Sequence, residues 1–340
     1  MRPRRRPDRV IEGEARQTRA CALSYPLAIA LAICTSLAQA QSFPMKPIRM
    51  IVGFPPGGTT DVIGRLVAAK LSERLGQQVV VENRPGASGM IGADAMAKAA
   101  PDGYTLLMSS STHATYTSLY SKVPFDPVKD FEPVSFIGTT PYVMVVHPSL
   151  PAQSVADLVR LAKARPGKLN YAASTPGTAQ HLAWELFKRS TGTDLAYIPY
   201  KGTGALMPDL LSGRLQAAID NVAVMTQHVR SGALRGIAVT SPKRSPLLPD
   251  LPTIAESGVP GFQAIGWFGV FAPAGTPEPV VRVLSDKIAG VLKQPDVLER
   301  MTELGAEAAS GGQDDLRKLL ANEMAVWGKV IREASVKIDQ

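Results

Sequence analysis

The residues of this chain best suited to chemistry are small and polar, and they gather at the ends of apolar runs. The first group is Phe54-Pro55-Pro56-Gly57-Gly58-Thr59-Thr60-Asp61. The prolines stop a strand and fix the backbone, and the glycines let a ligand approach the main chain. Thr59 or Thr60 can cap the helix that follows, whose first N–H groups lack internal acceptors and carry the positive end of its dipole. These types in this order make an anion site, or an ordinary tight strand-to-helix connection. Further groups follow at Ser109–His113, with Ser109 and Thr112, and at Ser174–Thr178, with Ser174, Gly177 and Thr178. Tyr200–Gly204, with Tyr200 and Lys201, and the pair Asp220-Asn221 complete the set.

Four of these residues read in two ways. Asp61 is a first-turn helix acid or also faces a ligand. His181 shares a helix face with Thr178 and is a satisfied, half-buried histidine or a cleft-lining donor. Lys201 is a solvated turn residue or part of the cleft. Phe54, Tyr200 and Trp267 are core by default, and of the three Tyr200 is the best placed to reach the cleft.

No catalytic constellation can be assembled. A phosphate-binding loop needs a lysine that does not follow Gly58, and Gly57-Gly58 is not the dinucleotide fingerprint. The four histidines, His113, His147, His181 and His228, lie in no metal-binding spacing. No Gly-x-Ser-x-Gly elbow is present, and the carboxylates form no informative pair. Backbone amides, hydroxyls and one or two charges are binding chemistry, so no catalytic residue, metal or cofactor is expected, and the chain does not read as an enzyme.

The chain has 340 residues, 45% of them hydrophobic, with a formal charge of +8. That length allows one long or two medium domains. Residues 1–40 hold seven Arg against three acids, and the other basic residues form no cluster, so no nucleic-acid partner is suggested. The same forty residues read as a basic n-region, an apolar h-region from Ala20 to Leu37 and a small-x-small site at Ala38-Gln39-Ala40. The expectation is a cleaved signal peptide, cut after Ala40, and export to the periplasm. A membrane anchor is the weaker alternative, because Pro26 interrupts a short apolar run. Cys21 and Cys34 both lie in that segment, so the exported chain would contain no cysteine.

The elements that must position these groups alternate. Ile48–Phe54 reads as a buried strand, and Ile63, Leu66, Val67, Leu71 and Leu75 mark a helix after it. Strands at 78–82 and 104–108 follow, with a helix from Ser88 to Ala100 between them, predicting a parallel sheet with right-handed crossovers. Two strand-like runs lie in Phe131–Val146, around Gly138-Thr139-Thr140-Pro141. A second α/β unit then repeats the opening grammar, its strand Leu169–Ala173 leading into the Ser174–Thr178 turn and a helix from Ala179 to Arg189. A long strand at 262–271 and C-terminal helices at 279–292, 295–304 and 313–334 complete the reading. Two such units predict a cleft between two lobes, with ligand groups outside the carboxyl ends of the strands.

Several ordered stretches resemble the Bug-type receptors, the substrate-binding proteins of tripartite tricarboxylate transporters. Pro47-Ile48-Arg49 with Gly53 through Asp61 looks like their signature. Val81-Glu82-Asn83-Arg84-Pro85-Gly86-Ala87, Ala100-Pro101-Asp102-Gly103-Tyr104, Ser174 through Leu182, Tyr200-Lys201-Gly202, Leu251–Glu256 and Ala272–Pro277 agree with it. The resemblance spans essentially the whole exported chain. It implies a two-lobed, Venus-flytrap α/β periplasmic binding protein, with lobe 1 at 41–143 plus 268–340 and lobe 2 at 144–267. Hinges are expected near Thr139–His147 and Gly266–Phe271. By position, Phe54, Pro55, Pro56, Gly57, Gly58 and Thr59 would anchor a small carboxylate from the first lobe, with Ser109 and Thr112 beside them. Ser174, Gly177, Thr178 and His181 would close from the second lobe, and Tyr200, Lys201 and Asp220 would shape specificity. Where the family commonly has Gly, this chain has Thr175-Pro176, which alters that loop's amides.

The function so implied is a monomeric receptor that captures a di- or tricarboxylate, an amino acid or an aromatic acid and delivers it to membrane transporter subunits. A sensor presenting its ligand to a membrane kinase is the first alternative, and an exported hydrolase on the same fold the second.

Overall fold

The computed structural model describes residues 43–309 and 311–338, so the signal segment expected at 1–40 lies outside the described residues. The first half runs β1 (Ile48–Val52), α1 (Thr59–Leu75), β2 (Val79–Asn83), α2 (Met90–Ala97), β3 (Thr105–Ser110), α3 (Tyr116–Leu119), β4 (Phe131–Val146) and α4 (Val155–Ala164). The second half runs β5 (Asn170–Ala172), α5 (Ala179–Thr191), β6 (Ala196–Tyr197), α6 (Thr203–Leu211), β7 (Ala217–Asn221), α7 (Val222–Arg230), β8 (Arg235–Val239), β9 (Ile265–Pro273), α8 (Glu278–Val291), α9 (Pro295–Glu303), β10 (Glu307–Ala308) and α10 (Gln313–Glu333).

β1 lies between β2 and β3 and is parallel to both. Ile48, Met50, Ile51 and Val52 are fully buried, as side chains of a strand covered on both faces must be. α1 closes β1 from one side with Ile63, Val67 and Leu71, and burial of each such side chain contributes about 1.5–3 kcal/mol. α2 is shorter than the sequence suggests. Gly86, Ala87, Ser88 and Gly89 all have positive φ, which no α-helix can continue. The turn they form packs so closely on β1's end that a Cβ on Gly53 would sit 2.7 Å from Gly89.

The two runs expected in Phe131–Val146 are one strand, and its prolines explain why it looked broken. Proline removes a ladder donor and is normally excluded from strand interiors. Here the register shifts just after Pro133, and Pro141 stands at the end of the pairing with β9, where the strand changes partners. Residues 131–141 pair antiparallel with β9, and Tyr142 onward pairs with β7 and β8. β4 therefore begins in one sheet and ends in another.

The strand order is β2-β1-β3-β9-β4-β7-β5-β6, with β8 and β10 also paired to β4. β5, β6 and β7 are mutually parallel, so each sheet has the predicted parallel part. The sheets as a whole are mixed, because β4 and β9 run against each other and against their other neighbours. The chain leaves the second sheet where the Ala264 N–H donates to Thr240 O at 3.0 Å. It is already in the first sheet at Ile265 and Trp267, which pair with Pro141 and Thr139, so the return precedes Trp267. This is the two-lobed α/β architecture that the resemblance implies.

Candidate functional site

A cavity of about 560 Å³ opens between the two sheets, within the range that suits a small organic ligand. It lies outside the carboxyl ends of β1, β3, β5 and β7, where open α/β sheets place their ligands. Ten of the sixteen candidates line it: Phe54, Pro55, Gly57, Gly58, Thr59, Thr112, Ser174, Thr178, Lys201 and Asp220. Pro56, Asp61, Ser109, Gly177, His181 and Tyr200 do not.

The first wall is the N-terminus of α1. Gly58 is its N-cap and supplies no side-chain cap. The first intrahelical bond runs from the Val62 N–H to Gly58 O, so the amides of residues 59–61 have no acceptor within the helix. Asp61 stands behind this wall, almost wholly buried. It accepts the Gly57 N–H on Oδ2 at 2.9 Å, the Asn83 amide on Oδ1 at 2.7 Å and the Arg65 Nε–H at 3.1 Å. Burial raises its pKa, but Arg65, the Gly57 amide and Asn83 outweigh that and hold the carboxyl below its ordinary value. Asp61 is thus a loop anchor rather than a cavity-facing acid.

The opposite wall is the N-terminus of α5. Its N-cap, Thr178, donates its hydroxyl to Thr175 O at 2.7 Å and does not cap the helix. His181 is buried behind it, stacked on the Tyr197 ring at 4.1 Å, with Nδ1 accepting the Gly177 N–H at 3.1 Å. Since that amide can only donate, the ring proton sits on Nε2. Burial pushes the His181 pKa down to about 4, with Lys188 adding to this and Glu185 opposing it, so the ring is neutral at pH 7. Gly177 also faces away: a Cβ there would lie 2.3 Å from Ile338 Cδ1.

The remaining displaced candidates follow from local geometry. Successive strand residues point to opposite faces. Ser109 therefore turns inward, its Oγ 3.4 Å from His113 Nδ1, while Ser110 lines the cavity and bonds Thr112 at 3.1 Å. Tyr200 donates its hydroxyl to Asp209 at 2.7 Å and leaves the wall to Lys201. Pro56 occupies an exposed turn corner.

The cavity's two charged side chains among the described residues are Lys201, which is exposed, and Asp220, which is buried. Asp220 accepts the Thr203 hydroxyl and the Asn221 N–H, each at 2.7 Å. Burial nevertheless pushes its pKa up to about 6, because the two donors and Gln180 compensate only part of the desolvation. Asn221 donates to Thr140 Oγ1 at 2.9 Å, tying β7's end to the β4 crossing. Apolar side chains share the lining with hydroxyls such as Ser111, Thr140, Tyr142 and Thr203: Phe54, Trp267 and Phe268 on one side, Met207 and Val224 on the other.

Trp267 and Gln180 carry no sequence signal of their own, and Ser110 lies within the Ser109–His113 group without being singled out there. The tryptophan reaches the cavity because β9 enters the first sheet beside it and α10 holds its indole. Glu323 Oε2 accepts both the Trp267 Nε1–H, at 3.2 Å, and the Trp327 Nε1–H, at 2.8 Å. No group of three His, Cys, Asp or Glu among the described residues could hold a metal.

Residues 63–336 match the family described as tripartite tricarboxylate transporter family receptor. The chain belongs to that family. It is 43% identical over 312 residues to Protein BugT of Bordetella pertussis, covering 91% of this chain and 96% of that one. Among solved structures, R. palustris Rpa4515 with adipate is 40% identical, with a TM-score of 0.80 over 87% of this chain and all of that one. MatC of Rhodopseudomonas palustris with bound malate is 32% identical, with a TM-score of 0.76 over 85% of this chain and all of its own. The receptor's described helices include none long and apolar enough to cross a membrane.

Proposed function

We propose that this receptor captures a small carboxylate with an apolar body in its interlobe cavity and delivers it, in the periplasm, to a tripartite tricarboxylate-type membrane transporter. The observation that carries this is the pair of helix N-termini, α1 from one sheet and α5 from the other. Both face one cavity, and neither has a side-chain cap. Their amides and dipoles suit a carboxylate, with no arginine needed. The aromatic and aliphatic wall suits methylene or ring carbon in the rest of the ligand. Solved relatives bound to adipate and to malate support a small carboxylate as ligand. In this proposal the lobes are hinged where β4 passes Pro141 and where the chain returns at Ile265, and closure over the ligand makes the form a membrane partner recognises.

Thermal unfolding and Trp267 fluorescence during titration with adipate and malate test this. A ligand bound only to the folded state contributes about 2.7 kcal/mol at a hundredfold excess over its Kd. Adipate should raise Tm and change the emission, and malate should do so less, because its hydroxyl would meet the apolar wall. No response to either acid, or to a wider carboxylate panel, would overturn the reading.

A further inference from the structure

The two helix N-termini at the cavity are assembled from the same parts, although their sequences differ. Pro56-Gly57-Gly58 leads into α1 with Asp61 as its third residue, and Pro176-Gly177-Thr178 leads into α5 with His181 as its third. Gly57 and Gly177 have φ of 83° and 79°, values natural to glycine in the second central position of a Pro-Gly turn. The N-caps have φ and ψ of −73° and 161° at Gly58, and −72° and 162° at Thr178. The Gly57 N–H donates to Asp61 Oδ2 at 2.9 Å, and the Gly177 N–H donates to His181 Nδ1 at 3.1 Å. A carboxylate and an imidazole share little beyond an acceptor atom at that reach from the backbone.

In the common capping box, the third helical side chain takes the amide of the N-cap itself. Here it takes the amide one residue earlier, outside the helix. The consequence is the same on both walls. Intrahelical bonding starts at the Val62 N–H to Gly58 O and at the Leu182 N–H to Thr178 O. The amides of 59–61 and 179–181 are left without an acceptor in the helix, while the turn that aims them is held from behind. The holders are themselves fixed, Asp61 by Arg65 and Asn83, and His181 by the Tyr197 ring. Around His181, Glu185 Oε1 lies 3.9 Å from Nε2, and Glu185 in turn accepts from Lys188 and the Tyr171 hydroxyl.

We infer that Asp61 and His181 are paired positioning residues, each pinning the glycine amide ahead of its helix so that the anion-binding amides of its own lobe are preset before the ligand arrives. This rests on the carboxylate-receptor reading above, and presetting lowers the ordering cost of binding.

The test uses Asp61→Ala, Asp61→Asn, His181→Ala and His181→Asn, with adipate as probe. Each alanine variant should bind adipate about tenfold more weakly, the worth of roughly one hydrogen bond's positioning. Each asparagine, which returns a carbonyl acceptor at the reach Asp61 already shows, should recover most of that loss. In ligand-free, ¹⁵N-labelled protein, the Gly57 and Gly177 amides should exchange slowly and His181 Nδ1 should resonate as an unprotonated acceptor. Alanine variants that bind like the unaltered receptor, asparagine variants as weak as alanine, or fast exchange at both glycines would overturn the inference. If the unaltered receptor ignores adipate and the wider carboxylate panel alike, the carboxylate reading falls instead, and the ligand-free exchange still decides the pins.

Discussion

Asp220 shows how a binding site departs from what folding alone would choose. It is 1% exposed, forms no ion pair among the described residues, and is held by the Thr203 hydroxyl, the Asn221 amide and the Gln180 side chain. A buried carboxylate so weakly compensated destabilises the folded state at pH 7, and a pKa pushed up to about 6 is the sign of that cost. Replacing it by Asn keeps an acceptor for the Thr203 hydroxyl and removes the charge. Asp220→Asn is therefore expected to stabilise the ligand-free receptor by about 1–3 kcal/mol at pH 7, with the gain vanishing near pH 4. Urea unfolding at both pH values checks this, and an equal effect at the two would show that the charge is not the cause.

At the scale of elements, the pinned turns make the two helix starts unequal in tolerance despite their likeness. Gly57 and Gly177 share a positive φ that costs an L-residue about 1–2 kcal/mol. A Cβ on Gly57 meets nothing within 4 Å, whereas one on Gly177 would strike Ile338 and Leu119, at 2.3 and 2.9 Å. Gly57→Ala should lower stability by no more than about 2 kcal/mol, while Gly177→Ala should cost clearly more. Calorimetric Tm values separate them; equal losses would mean the contact with the C-terminal segment carries no weight. The Pro-Gly pair followed by an acceptor four residues on is visible in both stretches of sequence, yet Asp and His do not look alike until both are seen receiving the same amide.

At the scale of the whole molecule, each lobe holds one buried neutral histidine. His113 lies behind β3, stacked on Phe271 at 4.6 Å with Nε2 bonded to Pro127 O, and His181 lies behind α5. Burial, the leading cause in both, lowers each pKa from 6.5 to about 4. Between those values the unfolded chain takes up protons that the folded protein refuses, so stability falls as pH drops from 7 toward 4. Asp220 works the other way between about 6 and 3.8, since there the folded state holds the extra proton. Near pH 5 each histidine costs about 1.4 kcal/mol per pH unit, and Asp220 and Glu323, whose pKa burial also raises, offset part of that loss. Chemical unfolding across pH 4–7 should show this decline, and His113→Gln should flatten it; a midpoint that stays level would contradict the assignment. A strongly acid-stable receptor is thus not expected.

The sequence by itself determined the elements and the chemistry they carry. Apolar periodicity marked β1, α1, α5 and the C-terminal helices, and Gly, Pro and hydroxyl residues after strands marked where a ligand would sit, because local propensity and turn chemistry are written in neighbouring residues. Ordered motifs then carried the family resemblance. The tertiary structure alone decided that Phe131–Val146 is one strand crossing between two sheets, since its prolines are tolerated only where the ladder shifts or ends. It alone decided that Asp61 and His181 stand behind the cavity, that Ser110 rather than Ser109 faces it, and that Trp267 joins it from the far end of the chain. Which face a residue presents depends on strand register and on partners more than a hundred positions away, and no local pattern encodes those.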